Sequence, residues 1–402
     1  MKTYLFILLT LIPIYACSNC KQQPSSPSES TEKVDSKKVV KSDSKKATAF
    51  TDKKTVTTTE KNTTAEKPQK NVKPVPVTTK PAVIKKVDPA AEDHDYWKNG
   101  TGVLKEKYAK AINAVSFKPT GANPKEHYYV SNEDFYGLWY PYVENLGGAY
   151  IGVASDQNYT LAVKSGAKLV FLIDYDYEVN RTHQLFQIMV ELSKTPEEFM
   201  ELLKRKYNRK ITEIAKSRFD IKTAKFISYL HRNASGFLKK HHRNRIRNVK
   251  RKLASPYWLT DQKLFDGWKK LVTEKRVFIL PGNLIDGDTI MKIGTICKQI
   301  HIPVSVIYFS NAEEFWVYPD TFKKAYLNLP LHEKAIILRT VVLGKKFKKG
   351  WKFHYTIQSG SDFAAWMKKT KSFSSKHMAR GYRKPIEKLY FSRIGPPPAK
   401  GI

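Results

Sequence analysis

The stretch 148–174, GAYIGVASDQNYTLAVKSGAKLVFLID, constrains the fold of this chain more than any other. It contains two short apolar runs, 149–154 and 168–174, and each has the length of a buried strand. The segment between the two runs has helical spacing and ends at Gly166, a residue type that commonly terminates helices. Two buried strands joined by a helix predict a parallel β-α-β unit.

Later segments continue the alternation of strand and helix. Apolar runs at 276–280 and 304–310 each follow a helical segment and end in a polar loop. Two further runs, 334–342 and 352–359, predict closing strands that pair around a segment rich in Gly and Lys. We therefore predict an α/β fold: a mostly parallel sheet, helices on both faces, and a basic helical insertion at about 193–275.

The N-terminal region differs from the rest in composition. Residues 1–16 contain a lysine, a short apolar stretch and Ala16, and a cysteine follows, which is typical of a bacterial lipoprotein signal peptide. An uncleaved membrane helix is the alternative, but the apolar stretch is shorter than a bilayer requires. Residues 17–90 are rich in Lys, Ser, Thr and Pro and predict a disordered tether. The folded domain is then 91–402.

Cysteine usage supports the same interpretation. Cys17 is predicted to carry the lipid, which would anchor the protein in the bacterial cell envelope, at the outer membrane. The chain has only 3 cysteines. Their number and spacing match neither a disulfide framework nor a zinc site, so we predict no disulfide partner and no metal.

Polar side chains follow four of the predicted strands. In an open α/β sheet, ligands bind beyond the carboxyl ends of the strands, so these side chains are binding-site candidates. Asp174 comes 22 residues after Gly152, a spacing at which an acid can accept hydrogen bonds from ribose hydroxyls. The candidate cofactor-binding residues are Gly152, Ala154, Asp156, Gln157, Asn158, Asp174 and Asp176. The candidate substrate-pocket residues are Asn283, Asp286, Asn311, Glu313 and Trp316.

The turn after the first strand indicates which ligand such a site prefers. Ser155 and Asp156 stand where dinucleotide-binding loops carry glycine, and Asp156 at a helix N-terminus would repel a pyrophosphate. The same carboxylate would accept a neutral or cationic ligand, such as an adenosine that bears a sulfonium and an amino group. The alternative is that 156–158 only cap the helix and bind no ligand.

A second candidate site is the basic segment 238–252, LKKHHRNRIRNVKRK, which has eight Lys or Arg in 15 residues. The chain as a whole has a formal net charge of +34. Such an excess attracts nucleic acid, anionic lipid or acidic polysaccharide, and the alternative is a solvated helix face. His241 and His242 are poor metal ligands there, because neighbouring cations oppose a metal ion. The candidate polyanion-binding residues are Lys239, Lys240, Arg243, Arg245, Arg247, Lys250, Arg251 and Lys252.

Four segments carry a resemblance to a known family: GGAYIGVASDQNYT, FLIDYD, IYFSNAEEFWVYPDTF and FHYTIQSGSDF. In them the chain resembles a family of bacterial proteins, several of them spirochaetal lipoproteins, whose fold is similar to class I S-adenosylmethionine-dependent methyltransferases. The resemblance covers about residues 125–370 and implies a Rossmann-like sheet that ends in an antiparallel pair. It also implies that 152–156 form the cofactor loop, that Asp174 or Asp176 binds ribose, and that the cofactor is S-adenosylmethionine.

The chain also departs from active methyltransferases. Its glycine-rich loop is not intact, and PGNLIDGD follows the third strand instead of an Asn-Pro-Pro-Tyr type motif. We therefore expect first a lipid-anchored envelope protein whose degenerate methyltransferase-like domain binds an anionic partner without catalysis. The alternatives are an active S-adenosylmethionine-dependent methyltransferase and a structural adaptor of the envelope. The sequence has no Gly-x-Ser-x-Gly, P-loop or His-Glu-x-x-His motif that would indicate a hydrolase.

Overall fold

The computed structural model describes residues 88–123, 126–344, 351–386 and 390–399. The chain divides into two units, Met1–Lys80 and Pro81–Ile402, and every described residue belongs to the second. The predictions for the signal peptide 1–16, for Cys17 and for nearly all of the tether therefore lie outside the described residues.

The described strands join in one sheet. They are β1 (Ala149–Val153), β2 (Leu169–Asp174), β3 (Val277–Pro281), β4 (Val304–Tyr308), β5 (Leu331–Val341), β6 (His354–Ser359), β7 (Arg383–Pro385) and β8 (Phe391–Ile394). The order across the sheet is β3-β2-β1-β4-β5-β6-β8-β7. The first five strands run parallel, β6 is antiparallel to β5, β8 is parallel to β6, and β7 is antiparallel to β8. This order confirms the predicted α/β, Rossmann-like sheet with its antiparallel end.

The helices connect these strands. They are α1 (Pro89–Asn99), α2 (Glu106–Asn113), α3 (Tyr140–Val143), α4 (Gln157–Lys164), α5 (Tyr177–Leu192), α6 (Pro196–Leu202), α7 (Asn208–Arg218), α8 (Ile221–Lys250), α9 (Gln262–Thr273), α10 (Asp288–Gln299), α11 (Asp320–Leu327), α12 (Gly360–Met367) and α13 (Ser375–Gly381). Short 3₁₀ helices occur at Tyr136–Trp139, Arg205–Tyr207 and Ala312–Phe315.

Both faces of the sheet are buried, because successive side chains of a strand point to opposite faces. In β1, Tyr150 packs into one hydrophobic core, and Ala149 and Ile151 pack into the other. The first core, which we call core 1, lies between the sheet and α4–α9. Core 2 lies between the opposite face and α1, α2 and α10–α13. The prediction of helices on both faces is thus confirmed.

The predicted helical insertion is confirmed as α6–α9, which packs on core 1. Its main element is α8, which spans 30 residues. The helix begins where the Asp220 side chain accepts a hydrogen bond from the Thr223 N–H at 2.9 Å, a favourable cap for an otherwise unpaired donor. A stripe that includes Ile227, Leu230 and Leu238 faces core 1, so the helix is held by burial of one side.

Two local features have no clear signal in the sequence. The chain is non-helical from Ser131 to Phe135 and enters a 3₁₀ turn at Tyr136. The Ser131 Oγ accepts the N–H of Glu133 at 3.1 Å. The short strands β7 and β8 carry no apolar run long enough to predict them, and pairing of β8 with β6 holds them in the sheet.

No helix within the described residues is both long and apolar enough to cross a membrane. Those residues also contain no group of three His, Cys, Asp or Glu that could hold a metal ion.

Candidate functional site

A cleft of about 460 Å³ lies at the carboxyl ends of β1, β2, β3 and β4. The strand order reverses between β1 and β4, and ligands of open α/β sheets bind at such a switch point. Apolar walls come from Val153, Ile173, Leu284 and Ala312, among others. The polar lining residues that the sequence had pointed to are Gln157, Asp174, Asp176, Asn283 and Asn311. The cleft has the size and mixed character of a small-molecule site.

The charge of this cleft is opposite to that of the chain. Among the described residues that line it, the charged ones are Asp174 and Asp176, and there is no Lys, Arg or His. This occurs in a chain with 71 Lys and Arg. The cleft therefore repels phosphates and favours neutral or cationic ligands.

Asp174 ends β2 and lies half-buried at the base of the cleft. One carboxylate oxygen accepts the Ala154 N–H at 3.1 Å and the other accepts the Asp176 N–H at 2.8 Å. Burial, with a contribution from the neighbouring Asp176 carboxylate, raises the pKa of Asp174 to about 7. Each oxygen keeps a further lone pair, so the group can still accept hydrogen bonds from a ligand.

Asp176 begins α5 and is more fully engaged. Its Oδ1 accepts the Glu178 N–H at 2.9 Å as the helix cap, and its Oδ2 lies 2.7 Å from His127 Nδ1. Asp176 is buried, so we assign it to shaping the rim and Asp174 to ligand contact.

The turn after β1 has the backbone geometry of a glycine turn without the glycine. Ala154 has φ +64°, in the left-handed region that L-residues other than Gly seldom adopt. Asp174 accepts its N–H, and its carbonyl oxygen lies 2.8 Å from His183 Nε2. The other ring nitrogen of His183 lies 2.6 Å from the Tyr159 hydroxyl, and burial lowers the His183 pKa to about 4. A neutral His183 thus holds the turn in place at physiological pH.

Three cofactor candidates do not face the cleft, and these predictions are corrected. Asp156 is buried and accepts the Ser131 N–H at 3.1 Å and the Trp258 indole N–H at 3.0 Å. Burial alone would raise the pKa of Asp156, but His242, Arg245 and the Trp258 N–H hold it below its usual value. The carboxylate therefore stays ionised inside the protein and does not reject a ligand.

The predictions that Asn158 and Gly152 bind the cofactor are corrected as well. The Asn158 side chain is buried and bonds to the Tyr150 hydroxyl and to the carbonyls of Val153 and Ser155. A Cβ at Gly152 would collide with the Asn158 side chain. Gly152 is thus required for packing beneath the turn. Gln157 does line the cleft, where its Nε2 donates to the Tyr308 hydroxyl at 2.8 Å.

The loops after β3 and β4 supply some of the predicted substrate residues. Asn283 and Asn311 line the cleft, and so does Trp316, whose buried indole N–H has no hydrogen-bond partner among the described residues. Glu313 is corrected: it is buried and accepts from Arg339 Nε at 2.6 Å and from the Tyr318 hydroxyl at 2.7 Å. Asp286 is also corrected, because it is exposed outside the cleft and accepts the Asp288 N–H.

Sequence reasoning missed the apolar mouth of the cleft. Phe315 lines it with 75% of its surface exposed, and Tyr128, Tyr175 and Ile285 line it and are also exposed. The available signal was adjacency, because Tyr175 separates the two acids and Phe315 precedes Trp316. An exposed apolar rim around a polar floor is typical of a ligand-binding groove.

Glu133 was missed as well, and no sequence pattern singled it out. It lies under the cleft wall, fully buried, and accepts hydrogen bonds from the hydroxyls of Tyr308, Ser310 and Thr340 at 2.7–2.8 Å. Burial raises its pKa. These bonds tie the wall segment that carries Ser131 to β4 and β5.

The predicted polyanion residues divide into two groups. Lys240, Arg243, Arg247 and 250–252 are exposed, and Lys239 is half-buried. Arg245 is corrected, because it is buried, donates to the Glu133 carbonyl at 2.6 Å and lies over the rings of Tyr136 and Tyr257. Helical spacing places Arg245 on the core side of α8, so it cannot contact an external polyanion.

Comparison with known proteins adds a family. The sequence family described as Domain of unknown function (DUF7790) matches residues 128–394. No curated protein matches the chain. A solved structure, the rRNA methyltransferase aviRa from Streptomyces viridochromogenes, is similar at 9% sequence identity over 62% of this chain and 78% of that chain. Its TM-score is 0.23, and the likeness adds nothing to what the strand order shows.

Proposed function

Since this chain belongs to the DUF7790 family and its cleft lies at the switch point of a Rossmann-like sheet, we propose that it binds S-adenosylmethionine and acts as a methyltransferase. The observation that carries the proposal is the charge of the cleft lining, where Asp174 and Asp176 are the charged side chains among the described residues. A nucleoside di- or triphosphate would place its negative charges beside these carboxylates. A sulfonium cofactor brings positive charge, which they attract.

The residues present fit such a cofactor in three respects. Asp174 stands at the end of β2 with free lone pairs for ribose hydroxyls. The unpaired Trp316 N–H can donate to an acceptor on the ligand, and Val153, Ile173 and Leu284 provide apolar walls for an adenine ring. When bound, the cofactor supplies a methyl group on a cationic sulfur. Asn311 follows β4 in the same cleft and offers the acceptor molecule a neutral hydrogen-bonding group.

Two features of the turn after β1 weaken the argument that its missing glycines rule out this function. The sequence placed its carboxylate in the cofactor loop, whereas the structure turns it toward Ser131 and Trp258. The left-handed Ala154 supports the same conclusion, because the turn keeps its shape without the glycines.

Calorimetric titration with S-adenosylmethionine, S-adenosylhomocysteine and ATP tests the proposal. We expect both adenosyl ligands to bind and ATP not to bind. Asp174→Asn should weaken adenosyl binding at least about tenfold, because each hydrogen bond to a charged acceptor contributes about 1.5–3 kcal/mol. Asp286→Asn is the matched control, since this acid lies at the same edge of the sheet but outside the cleft, and it should bind like the wild type. ATP binding equal to that of S-adenosylhomocysteine, or no heat from either adenosyl ligand, would contradict the proposal.

A second candidate function is favoured by the exposed cations of α8: a lipid-anchored envelope domain that binds an anionic partner without catalysis. Both candidates are compatible with an anchor at Cys17, which remains a prediction from the sequence. Transfer of labelled methyl groups to an envelope extract separates them. Cofactor binding without any labelled product would favour the second candidate.

A further inference from the structure

The exposed side of α8 is a continuous basic surface, which extends well beyond the segment 238–252. Six exposed cations, here called the basic face, lie along it: Lys222, Lys225, Arg232, Lys240, Arg243 and Arg247. At 3.6 residues per turn they fall within a sector of about 80°. At 1.5 Å per residue they extend over about 37 Å. The helix therefore presents a band of positive charge along one side.

The charges of the basic face are not neutralised within the protein. The 30 residues of α8 contain no Asp or Glu, and none of the six cations pairs with an acid in the described part of the chain. The ion pair that α8 does make belongs to the buried Arg245, with Asp134 at 3.6 Å. Six unpaired cations in a row attract an external polyanion.

Exposed apolar side chains accompany these cations. Tyr229 lies within the sector of the basic face and is 50% exposed, and Ile221 lies about 20° beyond the edge of the sector, at the start of the helix, and is 66% exposed. Phe237 is also exposed but lies about 60° beyond the opposite edge. Cations interspersed with exposed aromatic and aliphatic side chains are typical of helices that lie on a lipid surface. An aromatic ring alone would also suit stacked bases, but Ile221 cannot stack and gains only by leaving water.

We propose that the basic face of α8 docks on an anionic phospholipid bilayer. The cations contact the headgroups, and Tyr229 and Ile221 enter the boundary of the acyl region. The proposal is independent of the cofactor in the cleft, and a lipid anchor at Cys17 would add to it by keeping the domain close to the membrane.

The test compares two triple variants of the full chain, each in a Cys17→Ala background that cannot be acylated. Lys240→Glu, Arg243→Glu and Arg247→Glu reverse half of the basic face. Lys110→Glu, Lys324→Glu and Lys368→Glu reverse three cations that are also exposed and lie on the core 2 side. Both triples change the net charge equally and keep the same N-terminal region. A difference between them therefore reports the position of the charge.

Co-sedimentation is measured with vesicles of phosphatidylcholine alone and with vesicles containing 30% phosphatidylglycerol. Because each surface cation contributes about fivefold to binding, we expect the basic-face triple to lose at least about 100-fold of the binding that depends on phosphatidylglycerol. The control triple should lose much less. Equal loss in both triples, or equal binding to both vesicles by the unreversed chain, would overturn the proposal. Thermal unfolding should match between the triples, since none of the reversed cations pairs with an acid among the residues that the structure describes.

A second variant keeps every charge. Ile221→Ser should lower binding to the anionic vesicles by about tenfold while leaving binding to a single-stranded RNA of 20 nucleotides unchanged. If the chain binds this RNA more tightly than the vesicles, and Ile221→Ser leaves vesicle binding unchanged, the face is a nucleic-acid surface and the membrane proposal fails.

Discussion

The cleft and the basic face of α8 belong to the same domain and have opposite electrostatic character. The described lining of the cleft contains two acids and no cation, whereas α8 contains no acid at all. The cleft is concave, with its polar groups partly satisfied by the backbone. The basic face lies on the exposed side of α8, and its cations have no acidic partner in the part of the chain that the structure describes. A formal charge of +34 therefore describes neither region, because net charge states nothing about where charge is placed.

Within α8, charged side chains also have two different roles. Arg245 and Arg247 are two residues apart, yet the first is buried against Tyr136 and Tyr257 and the second is exposed. A guanidinium on the core side supports the fold, and one on the outer side is available to a partner. Four experiments test the roles of the two sides of α8 and of the residues at the cleft, beginning with the largest expected effect.

Replacing Arg245 should have the largest effect. Arg245→Met removes the hydrogen bond to the Glu133 carbonyl and the guanidinium that helps to keep the buried Asp156 ionised. We expect a loss of about 3 kcal/mol or more in the free energy of unfolding, since unpairing buried charges is costly. Arg247→Met should change it by less than about 0.5 kcal/mol. Urea denaturation measures both, and similar values for the two variants would remove the distinction between the two sides of α8.

Ionisation of Asp174 should make ligand affinity depend on pH. Its pKa of about 7 means that the carboxylate forms as pH rises from 6 to 8, so S-adenosylhomocysteine should bind about tenfold more tightly at pH 8. The free energy of unfolding should change in the opposite direction and fall as pH rises. The folded-state pKa lies above the ordinary 3.8, so the folded state holds the extra proton between about pH 4 and 7, and this stabilisation is lost as pH rises through that window.

Asp174→Asn should remove both of these trends. Calorimetry at three pH values and urea titration over the same range supply the data. A wild-type affinity that stays constant from pH 6 to 8 would show that Asp174 does not contact the ligand.

Trp316→Phe should have a smaller effect that is confined to the cleft. The variant deletes an N–H that has no partner among the described residues, so the free energy of unfolding should stay equal or rise slightly. Ligand affinity should fall about fivefold, the value of one neutral hydrogen bond. Trp268→Phe is the control, because its indole N–H is also unpaired but lies in core 1, away from the cleft. Unchanged affinity in Trp316→Phe would remove this donor from the site.

Ala154→Gly should have the smallest effect. The left-handed φ costs an alanine about 1 kcal/mol more than a glycine, and the greater freedom of glycine in the unfolded chain offsets part of it. We expect a gain of at most about 1 kcal/mol in the free energy of unfolding and unchanged ligand binding. A clear loss of stability would show that the Ala154 methyl group packs in a way the turn requires.

The sequence predicted the sheet well because its signals are local. Each of β1 to β4 is a short apolar run with a polar end. The spacing from Gly152 to Asp174 also indicated a real proximity, because the Asp174 carboxylate accepts a hydrogen bond from the Ala154 N–H in the turn after Gly152. The strands β7 and β8 were not predictable, since they are short and partly polar and depend on β6 for their pairing.

The candidate site was predictable only in part. A sequence pattern can locate a residue near the cleft, but it does not show whether the side chain points into the cleft or into the core. Asp156 and Asp174 both follow strand ends in the sequence, but Trp258 and the Ser131 N–H draw Asp156 into the core. Those partners are 102 and 25 residues away along the chain. Glu313 is likewise taken inward by Arg339. A buried partner that is distant in sequence leaves no trace in a local pattern.

The left-handed alanine after β1 has a consequence for how such a turn can be recognised in a sequence. Codons for alanine and glycine differ at a single base, so Ala154 can interchange with glycine in one mutational step while the backbone keeps its course. Asp174 and His183 hold the turn from outside, so its shape does not require a glycine. The supporting acid and histidine are therefore better markers of this turn than glycine.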